Sequence, residues 1–427
     1  AGLLPCHRHF YRKASLLSEP FTPAWLLAIG LVALSAGWLG FFAYRHVEYS
    51  NALWWQFSFG GEGEAPRFLR ALVGSGALVL FFALAKLLRP ARPRPARPSA
   101  AELERAAAIV AAYPRAQAHL ALLGDKDLLF SENDDGLLMY GIEGRSWVAM
   151  GDPVASAPEL RRELAWRFRE LCEEYDGWPV FYQVRHDQLD LYLELGLTLL
   201  KIGEEARVDL PAFTLEGKAK GQLRTALRKL EREGCRFEVV PATAVPILLP
   251  QLRQVSDAWL AAKSVREKGF SLGRFDPAYL ARGPLALVWR EERIIAFANL
   301  WCGGGEELAI DLMRHLPGTP NGTMDYLFTQ AILWGKVQGY AWFNLGMAPL
   351  AGLHSRSLAP LWNRFGSLVF GRGERFYNFR GVRQYKDKFG PIWEPRYLAV
   401  PGGIALPRIL VNLTSLIAGG LQGVVPR

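Results

Sequence analysis

Cysteine is scarce in this sequence, and the few cysteines are not paired. Four occur among 427 residues, at Cys6, Cys172, Cys235 and Cys302, and none belongs to a Cys-x-x-Cys motif. This spacing argues against a zinc cluster and against a disulfide framework. It fits a protein of the reducing cytosol.

Short motifs of several enzyme classes are also missing. The sequence contains no Gly-x4-Gly-Lys-Ser/Thr loop and no His-Glu-x-x-His pair, and no Gly-x-Gly-x-x-Gly turn leads from a strand into a helix. These absences argue against P-loop nucleotide hydrolysis, zinc-protease chemistry and dinucleotide binding. The seven histidines are dispersed. We therefore expect no metal and no covalent serine or cysteine intermediate, which leaves direct transfer between bound substrates.

The charge balance points to a polyanionic partner without identifying it. There are 50 lysine and arginine residues against 41 aspartate and glutamate residues, a formal net charge of +9, and half of the sequence is apolar. Such a surplus suits anionic lipid or nucleic acid. The first residue is alanine, so we expect the sequence to be part of a longer polypeptide.

Two apolar runs near the beginning predict transmembrane helices. The run 24–44 contains no charged residue, and its length matches the roughly 20 residues that cross a bilayer core. In the run 68–88, Arg70 and Lys86 lie near the ends, where long side chains can reach the interface. We predict transmembrane helices at 23–45 and 68–88. The alternative is a buried helix of a water-soluble domain.

Basic residues flank these runs on their outer sides. By the positive-inside rule, the segment 1–22 and the chain after the second run are predicted to be cytoplasmic, and the connector 46–67 external. Residues 89–98 alternate proline with arginine and alanine. They predict a stiff linker whose arginines attract anionic headgroups. A plain solvated spacer explains the same composition.

From residue 99 onward, helix-like and strand-like segments alternate, which predicts a mixed α/β fold. Ser99 is expected to cap the first helix, and an antiparallel meander is predicted at 285–313. Similar elements recur in the same order, so we predict two related modules at 99–215 and 216–403. The segment 404–427 is predicted to be an amphipathic tail that packs on the protein or lies on the membrane.

A basic helix is predicted at 217–234. Lys220, Arg224 and Arg228 recur every four residues and share one face, opposite an apolar stripe of leucines. One interpretation is a solvated helix face. The other is that Lys220, Arg224 and Arg228 bind phosphates of tRNA or lipid.

Cations and aromatic residues alternate in the segment 372–389. Arg380, Arg383 and Lys388 lie among phenylalanines and tyrosines. This mixture can bind phosphates and stack on unpaired bases, such as those of a tRNA acceptor end. An amphipathic helix with an aromatic core face explains the same pattern, so both interpretations stay open.

Asp311 and Arg314 are polar residues at the end of an otherwise apolar strand. Burying a carboxylate without a partner is costly, so the two residues form either a structural ion pair or a substrate site. In the second case Asp311 holds an ammonium or hydroxyl group and Arg314 a phosphate. Residues three apart project to opposite faces of a regular strand. A shared site therefore requires the chain to bend near Met313.

Several stretches together resemble the C-terminal part of the multiple peptide resistance factor family, the phosphatidylglycerol aminoacyltransferases. The resemblance covers roughly residues 100–400, and its overall pattern favours the alanyl branch over the lysyl branch. The matching stretches are Met-Gly-Asp-Pro-Val (150–154), the helix 217–234, Asp-Leu-Met-Arg-His (311–315), residues 344–352 and residues 372–400.

The resemblance implies a fold of tandem GNAT-like (acetyltransferase-like) modules and transfer of an amino acid from aminoacyl-tRNA to the glycerol hydroxyl of phosphatidylglycerol. Such a reaction reduces the negative charge of the membrane and confers resistance to cationic antimicrobial peptides. Asp311, Arg314 and Lys388 match family positions associated with the active site. Arg314 is expected to bind the lipid phosphate, and Lys388, Arg380 and Arg383 to meet tRNA phosphates.

The same resemblance implies a multi-pass protein of the bacterial inner membrane with a cytoplasmic catalytic domain. Its partners would be aminoacyl-tRNA, phosphatidylglycerol in an anionic membrane, and an N-terminal flippase region of the same polypeptide that this sequence does not include. A homo-oligomer is left open. We expect no cofactor, because the acetyl-CoA loop of ordinary acetyltransferases is missing before the helix predicted at 322–338.

Two other functions compete with this one. The first is a membrane-tethered N-acyltransferase that uses acyl-CoA. The second is a non-enzymatic adaptor that binds anionic lipid. The sequence alone does not decide the amino acid that is carried, the general base or the route by which product lipid leaves.

Overall fold

The computed structural model of the protein describes residues 97–263, 267–353 and 379–419, with isolated helical positions between residues 27 and 81. The chain divides into two compact units, 1–94 with 173–176, and 95–172 with 177–427. No helix formed by the described residues is long and apolar enough to cross a bilayer. The continuous runs 23–45 and 68–88, the connector 46–67 and most of the linker 89–98 lie outside the described residues.

The second unit contains nine α-helices and twelve strands in its described part. The helices are α1 (Ala100–Ala112), α2 (Pro158–Glu174), α3 (Leu189–Glu194), α4 (Gly221–Arg232), α5 (Val245–Lys263), α6 (Pro277–Leu280), α7 (Thr323–Val337), α8 (Phe379–Asp387) and α9 (Leu406–Ala418). The strands are β1 (Asp127–Phe130), β2 (Gly136–Glu143), β3 (Ser146–Met150), β4 (Val154–Ala155), β5 (Trp178–Arg185), β6 (Thr198–Asp209), β7 (Cys235–Val240), β8 (Leu285–Arg290), β9 (Arg293–Gly303), β10 (Glu307–His315), β11 (Trp342–Pro349) and β12 (Ile392–Val400).

Local sequence signals place several of these elements correctly. The Ser99 side chain accepts a hydrogen bond from the backbone N–H of Glu102, and the Glu102 carboxylate accepts one from the N–H of Ser99. This reciprocal capping box begins α1. The predicted basic helix starts as a 3-10 turn at Lys218–Lys220 and continues as α4, with its leucine stripe buried.

One twelve-stranded sheet runs through the second unit. Its order is β1-β2-β3-β5-β12-β6-β11-β10-β9-β8-β7, and β4 pairs with β2. The predicted meander β8-β9-β10 is antiparallel as expected. The mixed α/β fold is therefore confirmed.

The same succession of elements occurs in two arrays of the sheet. In the first array, β2 and β3 are antiparallel and α2 leads to β5, which lies parallel to β3. In the second array, β9 and β10 are antiparallel and α7 leads to β11, which lies parallel to β10. A parallel neighbour after a helix is the usual crossover geometry. The repetition predicted from the order of elements is present.

The two central strands, β6 and β12, were not predicted from the sequence. β12 comes from the predicted second module but lies between β5 and β6 of the first, and it pairs with both. Charged residues break the apolar alternation of β6, which hides it as a strand. Glu205 of β6 forms a buried ion pair with Arg396 of β12, and Arg207 bridges Glu307 and Glu394. The charged residues of β6, which are typical of a loop, thus form ion pairs inside the sheet.

The tail helix α9 packs on the protein. Ile409 and Leu413 are buried in the core cluster of the first array. The Asn412 side chain donates a hydrogen bond to the hydroxyl of Ser146, 2.9 Å away. Of the two outcomes predicted for the tail, the described part up to Gly419 shows packing on the sheet.

Candidate active site

A cavity of about 680 Å³ opens where β10 and β11 diverge. Residues Glu307–Ala309 of β10 pair with Trp342–Asn344 of β11. Beyond these residues the two strands are not paired with each other. Ligand sites are concave, mostly apolar and of this size. The cavity is lined by both arrays and by the central strand β6, and its lining includes Gln117, Tyr182, Gln183, Glu205, Trp301, Asp311, Phe328, Asn344, Met347 and Lys386.

Asp311 lies on the cavity wall at an irregularity of β10. The register between β10 and β9 shifts between Ile310 and Met313, so the strand bends where the sequence required it. Oδ1 of Asp311 accepts the backbone N–H of Gly273 at 2.8 Å, and Oδ2 accepts the hydroxyl of Tyr279 at 3.0 Å. Burial raises the pKa of Asp311 to about 6. The group is therefore a carboxylate at neutral pH.

Arg314 lies close to Asp311 but has a different carboxylate partner. Its Nη2 is 3.0 Å from Oε2 of Glu267, and its guanidinium stacks 4.2 Å from the ring of Trp259. Its Nη1 donates to the carbonyl of Met313. Burial lowers the pKa of Arg314, while Glu267 and Asp311 oppose that effect. The Asp311–Arg314 ion pair considered above is thus replaced by a Glu267–Arg314 pair, and Arg314 is not part of the cavity lining.

Lys386 of α8 reaches the same cavity, although the sequence did not single it out. Its Nζ donates to the carbonyls of Gly346 and Met347 at 2.9 and 3.0 Å. Burial lowers the pKa of Lys386 to about 8. The available signal was helical spacing, because Lys386 follows the cavity-lining Val382 by four residues and shares its face.

Lys388, which was the predicted active-site lysine, is directed elsewhere. Its Nζ forms an ion pair with both carboxylate oxygens of Asp325, at 3.1 and 3.0 Å, and lies 4.8 Å from the ring centre of Tyr385. Asp325 belongs to the first turn of α7, where a negative charge is favourable. Lys388 therefore joins α7 to the end of α8 and is not part of the cavity lining.

The two arginines predicted nearby also lie on α8. Arg383 forms an ion pair with Glu204, and its guanidinium is 4.4 Å from the ring centre of Trp393. The backbone of Arg380 belongs to the first turn of α8, and its side chain lies outside the described part of the chain.

The candidate phosphate ligands of the basic helix have unequal surroundings. Nζ of Lys220 donates to the carbonyl of Lys388 at 3.0 Å, and Arg224 donates to the carbonyls of Leu215 and Gly217. Arg228 is exposed. The structure therefore brings Lys220 and Lys388 together, while Arg228 remains the most accessible cation of the three.

Ser271 and Leu272 of the cavity wall belong to the sequence Gly269-Phe270-Ser271-Leu272-Gly273, which fits the Gly-x-Ser-x-Gly pattern of serine hydrolases although no covalent serine intermediate was expected. In those enzymes the serine occupies a sharp turn from a strand into a helix. Here the pentapeptide lies in the loop between α5 and α6, and the lining of the cavity includes no histidine among the described residues. The pattern is therefore not a nucleophile elbow.

The arrangement suits a transfer reaction between two substrates. A carboxylate and a lysine with a lowered pKa face one cavity whose remaining walls are largely apolar. The carboxylate can hold an ammonium or hydroxyl group, and the lysine can accept or supply a proton near neutral pH. Apolar walls exclude water, which would otherwise compete for an activated acyl group.

Residues 107–400 match the family described as phosphatidylglycerol lysyltransferase, C-terminal. A phosphatidylglycerol lysyltransferase of Bacillus subtilis (strain 168) is 37% identical over 342 residues, which cover 79% of this chain and 39% of that protein. One from Staphylococcus epidermidis is 35% identical over 283 residues, or 66% of this chain and 33% of that protein. The chain thus spans less than half the length of these curated relatives.

Two solved structures are similar over most of their length. The structure of L-PGS from Bacillus licheniformis is 35% identical with a TM-score of 0.68, covering 77% of this chain and 99% of that one. A C-terminal domain (DUF2156) from Agrobacterium fabrum is 43% identical with a TM-score of 0.68, covering 75% and 98%.

Proposed function

This chain belongs to the phosphatidylglycerol lysyltransferase C-terminal family, and from that premise we propose that it transfers an aminoacyl group from aminoacyl-tRNA to the glycerol hydroxyl of phosphatidylglycerol. The observation that carries the proposal is that Asp311 and Lys386 line the same cavity. A carboxylate and a lysine of lowered pKa are the groups that an ester exchange with an amino-acid donor needs.

The proposed reaction exchanges one ester for another and requires no cofactor. The terminal hydroxyl of phosphatidylglycerol attacks the carbonyl carbon of aminoacyl-tRNA, and its proton passes to the neutral amine of Lys386. The tetrahedral intermediate then expels the ribose oxygen of tRNA, which takes that proton back. The new ester bond replaces the old one, so no energy source besides the activated donor is needed. Alignment of the two substrates supplies much of the rate.

Asp311 is proposed to bind the α-ammonium of the donor or the attacking hydroxyl. Each of its oxygens accepts one protein hydrogen bond and keeps a second lone pair for a ligand in the cavity. A charge-assisted hydrogen bond of this kind is short and strong. It would hold the acyl carbon at a fixed distance from Lys386.

Contacts with tRNA phosphates are proposed for the basic face outside the cavity. Arg228 is exposed there, and Lys220 and Lys388 lie next to each other. The ion pairs of Lys388 and Arg383 leave part of each cation accessible, since both side chains are about 30% exposed. A cluster of this kind binds a polyanion with a strong salt dependence. Arg314, expected as a lipid-phosphate ligand, has its guanidinium committed to Glu267.

The identity of the amino acid is a finer part of the proposal. The relatives described above are named lysyltransferases, and the alanyl branch favoured by the sequence gains no support from them. We propose lysine as the first candidate and alanine as the second. Membrane localisation with a cytoplasmic catalytic domain, an N-terminal flippase region and resistance to cationic peptides belong to the same proposal.

The test is an assay of membranes that contain this chain with radiolabelled lysyl-tRNA or alanyl-tRNA. Label in the lipid fraction that disappears after RNase treatment of the donor supports aminoacyl transfer, and the more active donor identifies the amino acid. Matched membranes with Asp311→Asn serve as the control. No lipid label from either donor, with the protein folded and membrane-bound, would reject the proposed function.

A further inference from the structure

One short stretch of chain holds both Asp311 and Arg314. This stretch, residues 267–279, comprises the described part of the loop after α5 and the first three residues of α6, and we call it the clamp. At its beginning, Glu267 forms an ion pair with Arg314 at 3.0 Å. At its end, Tyr279 donates its hydroxyl hydrogen to Asp311 at 3.0 Å, and between them Gly273 donates its N–H at 2.8 Å.

The clamp is itself fixed by hydrogen bonds at several points. Oε1 of Glu267 accepts the N–H of Phe275, which closes the loop on itself. Asp276 caps α6 by accepting the N–H of Tyr279 at 3.0 Å. The indole N–H of Trp301, on the cavity wall, donates to the hydroxyl of Tyr279 at 2.7 Å. This bond orients the hydroxyl so that its own hydrogen points at Asp311.

Gly273 permits the close approach of the clamp to Asp311. A Cβ atom at this position would lie 1.7 Å from Oδ2 of Asp311, far inside van der Waals contact. The backbone φ of Gly273 does not require glycine, so the constraint is the distance to the carboxylate. Any side chain here would displace either the loop or Asp311.

We propose that the clamp is a positioning element in which Gly273 and Tyr279 set the orientation of Asp311 for aminoacyl transfer, while Glu267 fixes the clamp through its ion pair with Arg314. The inference rests on the proposed function for its kinetic consequences, while the geometry of the clamp is independent of it. Glu267 and Tyr279 are absent from the lining of the cavity. Tyr279 acts through Asp311, and Glu267 acts by fixing the clamp to Arg314, so they are positioning residues and not catalytic ones.

Tyr279 should also affect the protonation of Asp311. The charged groups that face Asp311 are Lys126, which is fully buried beside Asp125, and Arg314 on the same strand. The hydrogen bonds from Tyr279 and Gly273, together with these two cations, favour the ionised carboxylate and oppose the effect of burial. Removal of the tyrosine hydroxyl therefore raises the pKa of Asp311.

The experiment compares two clamp variants with two matched controls in the 427-residue chain. Tyr279→Phe removes one hydroxyl, and Glu267→Gln removes one charge. As the first control, Tyr340→Phe removes a tyrosine hydroxyl that is hydrogen-bonded to Cys302. As the second control, Glu238→Gln breaks the exposed ion pair with Arg236. Glu267→Asp tests rescue, since it keeps the carboxylate.

Two readouts are measured on each protein. The first is the pH profile of kcat and KM for transfer to lipid. The second is the titration of the Asp311 carboxyl by 13C NMR of chain labelled at aspartate Cγ, with the signal assigned from its loss in Asp311→Asn. The second readout requires no activity, so it tests the clamp even if the chain transfers nothing.

For Tyr279→Phe we expect a fall in kcat of about tenfold or more at nearly constant KM, with the acid limb of the profile and the Asp311 titration both moved to higher pH. Glu267→Gln should lower kcat without moving the titration as far, and Glu267→Asp should recover part of the loss. Both controls should match the unchanged protein in kcat and in titration. An unmoved Asp311 titration in Tyr279→Phe would overturn the proposal. An inactive parent chain with a shifted titration would reject only the proposed function.

Discussion

The two arrays of the sheet contain the same parallel pair of strands, and among the described residues the cavity of about 680 Å³ opens between the strands of the second pair only. In the first array, β3 and β5 stay paired over five residues, from Ser146–Trp178 to Met150–Tyr182. In the second array, β10 and β11 are paired over three residues and then diverge. Two strands that separate lose their ladder hydrogen bonds, and the space between them becomes available to a ligand. Both arrays share the same order of elements, so the site depends on the point at which β10 and β11 diverge.

The contribution of the first array to the cavity depends on a local irregularity as well. The register of β5 against β12 shifts at Gln183, which has a positive φ of 66°. Its side chain accepts a hydrogen bond from Gln117 at 2.9 Å, and both residues line the cavity. A bulge often redirects a side chain in this way.

Each array also has a buried aspartate bonded to a tyrosine hydroxyl, and the two carboxylates differ in charge balance. Asp152, just after β3, accepts the hydroxyl of Tyr192 at 2.7 Å and forms an ion pair with Arg185. Asp311, in β10, accepts the hydroxyl of Tyr279, and its donors within hydrogen-bond distance are neutral groups. The first carboxylate is neutralised by the protein, whereas the second is available to a cationic substrate.

The largest effect is expected in a comparison of these two aspartates by substitution with asparagine. Asp311→Asn should lower kcat/KM for lipid aminoacylation by about 10³-fold, while the free energy of unfolding changes by only about 1–2 kcal/mol, because the amide has the same shape. Asp152→Asn weakens the ion pairing of Arg185, which keeps Asp187 as a second partner, and should cost about 1–3 kcal/mol of stability. Activity and thermal unfolding are measured on the same preparations. A fully active Asp311→Asn enzyme would remove Asp311 from the mechanism.

The second-largest effect is expected in a comparison of two lysines, Lys386 of α8 and Lys388 just after it. Lys386→Met should lower kcat by about 10²-fold, since it removes the proposed proton acceptor. Lys388→Met breaks a partly exposed ion pair with Asp325 and should cost about 1 kcal/mol of stability at most, with a much smaller loss of kcat. Initial rates and unfolding curves of the two variants provide the comparison. Equal losses of kcat would show that Lys386 has no special role.

The pH dependence of stability should show the burial of Lys386 directly. Its pKa is lowered to about 8 in the folded chain, against about 10.4 in an unfolded one. The unfolded state then binds more protons between these values, so stability rises with pH through this window. Chemical unfolding at several pH values should show a smaller rise in Lys386→Met than in the parent chain. Identical slopes would place the lysine in an exposed environment.

The smallest effects are expected on the basic helix α4. Arg228→Ala should change stability by no more than about 0.5 kcal/mol and reduce the slope of log affinity for tRNA against log salt by about 1. Arg224→Ala loses hydrogen bonds to two carbonyls and should cost about 1–3 kcal/mol. Binding in a salt series and thermal unfolding measure both changes. An unaltered slope of log affinity against log salt in Arg228→Ala would show that this helix face is solvated and does not contact tRNA.

The sequence predicted the elements whose signals are local. The capping box at Ser99, the leucine stripe of α4 and the alternation of β8, β9 and β10 depend on residues a few positions apart. It also singled out Asp311, which lines the cavity, and the register of β10 shifts between Ile310 and Met313, near the bend that a site shared with Arg314 would require. The functional roles predicted for Asp311, Arg314, Lys388 and the basic residues remain predictions.

Features that depend on distant partners were not predicted. β6 contains charges whose partners, Arg396 and Glu307, are about 190 and 100 positions away along the chain. Likewise, Glu267 replaces Asp311 as the partner of Arg314, and Lys386 replaces Lys388 at the cavity. No periodicity encodes whether Lys386 of α8 or Lys388, just after this helix, will be covered by β11.

The sequence by itself determined the class of fold and those helices and strands that have local signals, because hydrophobic period and capping act within a single helix or strand. Tertiary structure alone decided where two parallel strands diverge, which lysine enters the space between them and which acidic residue holds Arg314. These outcomes depend on the packing of elements from both arrays against each other, and burial then sets the pKa values on which the chemistry depends.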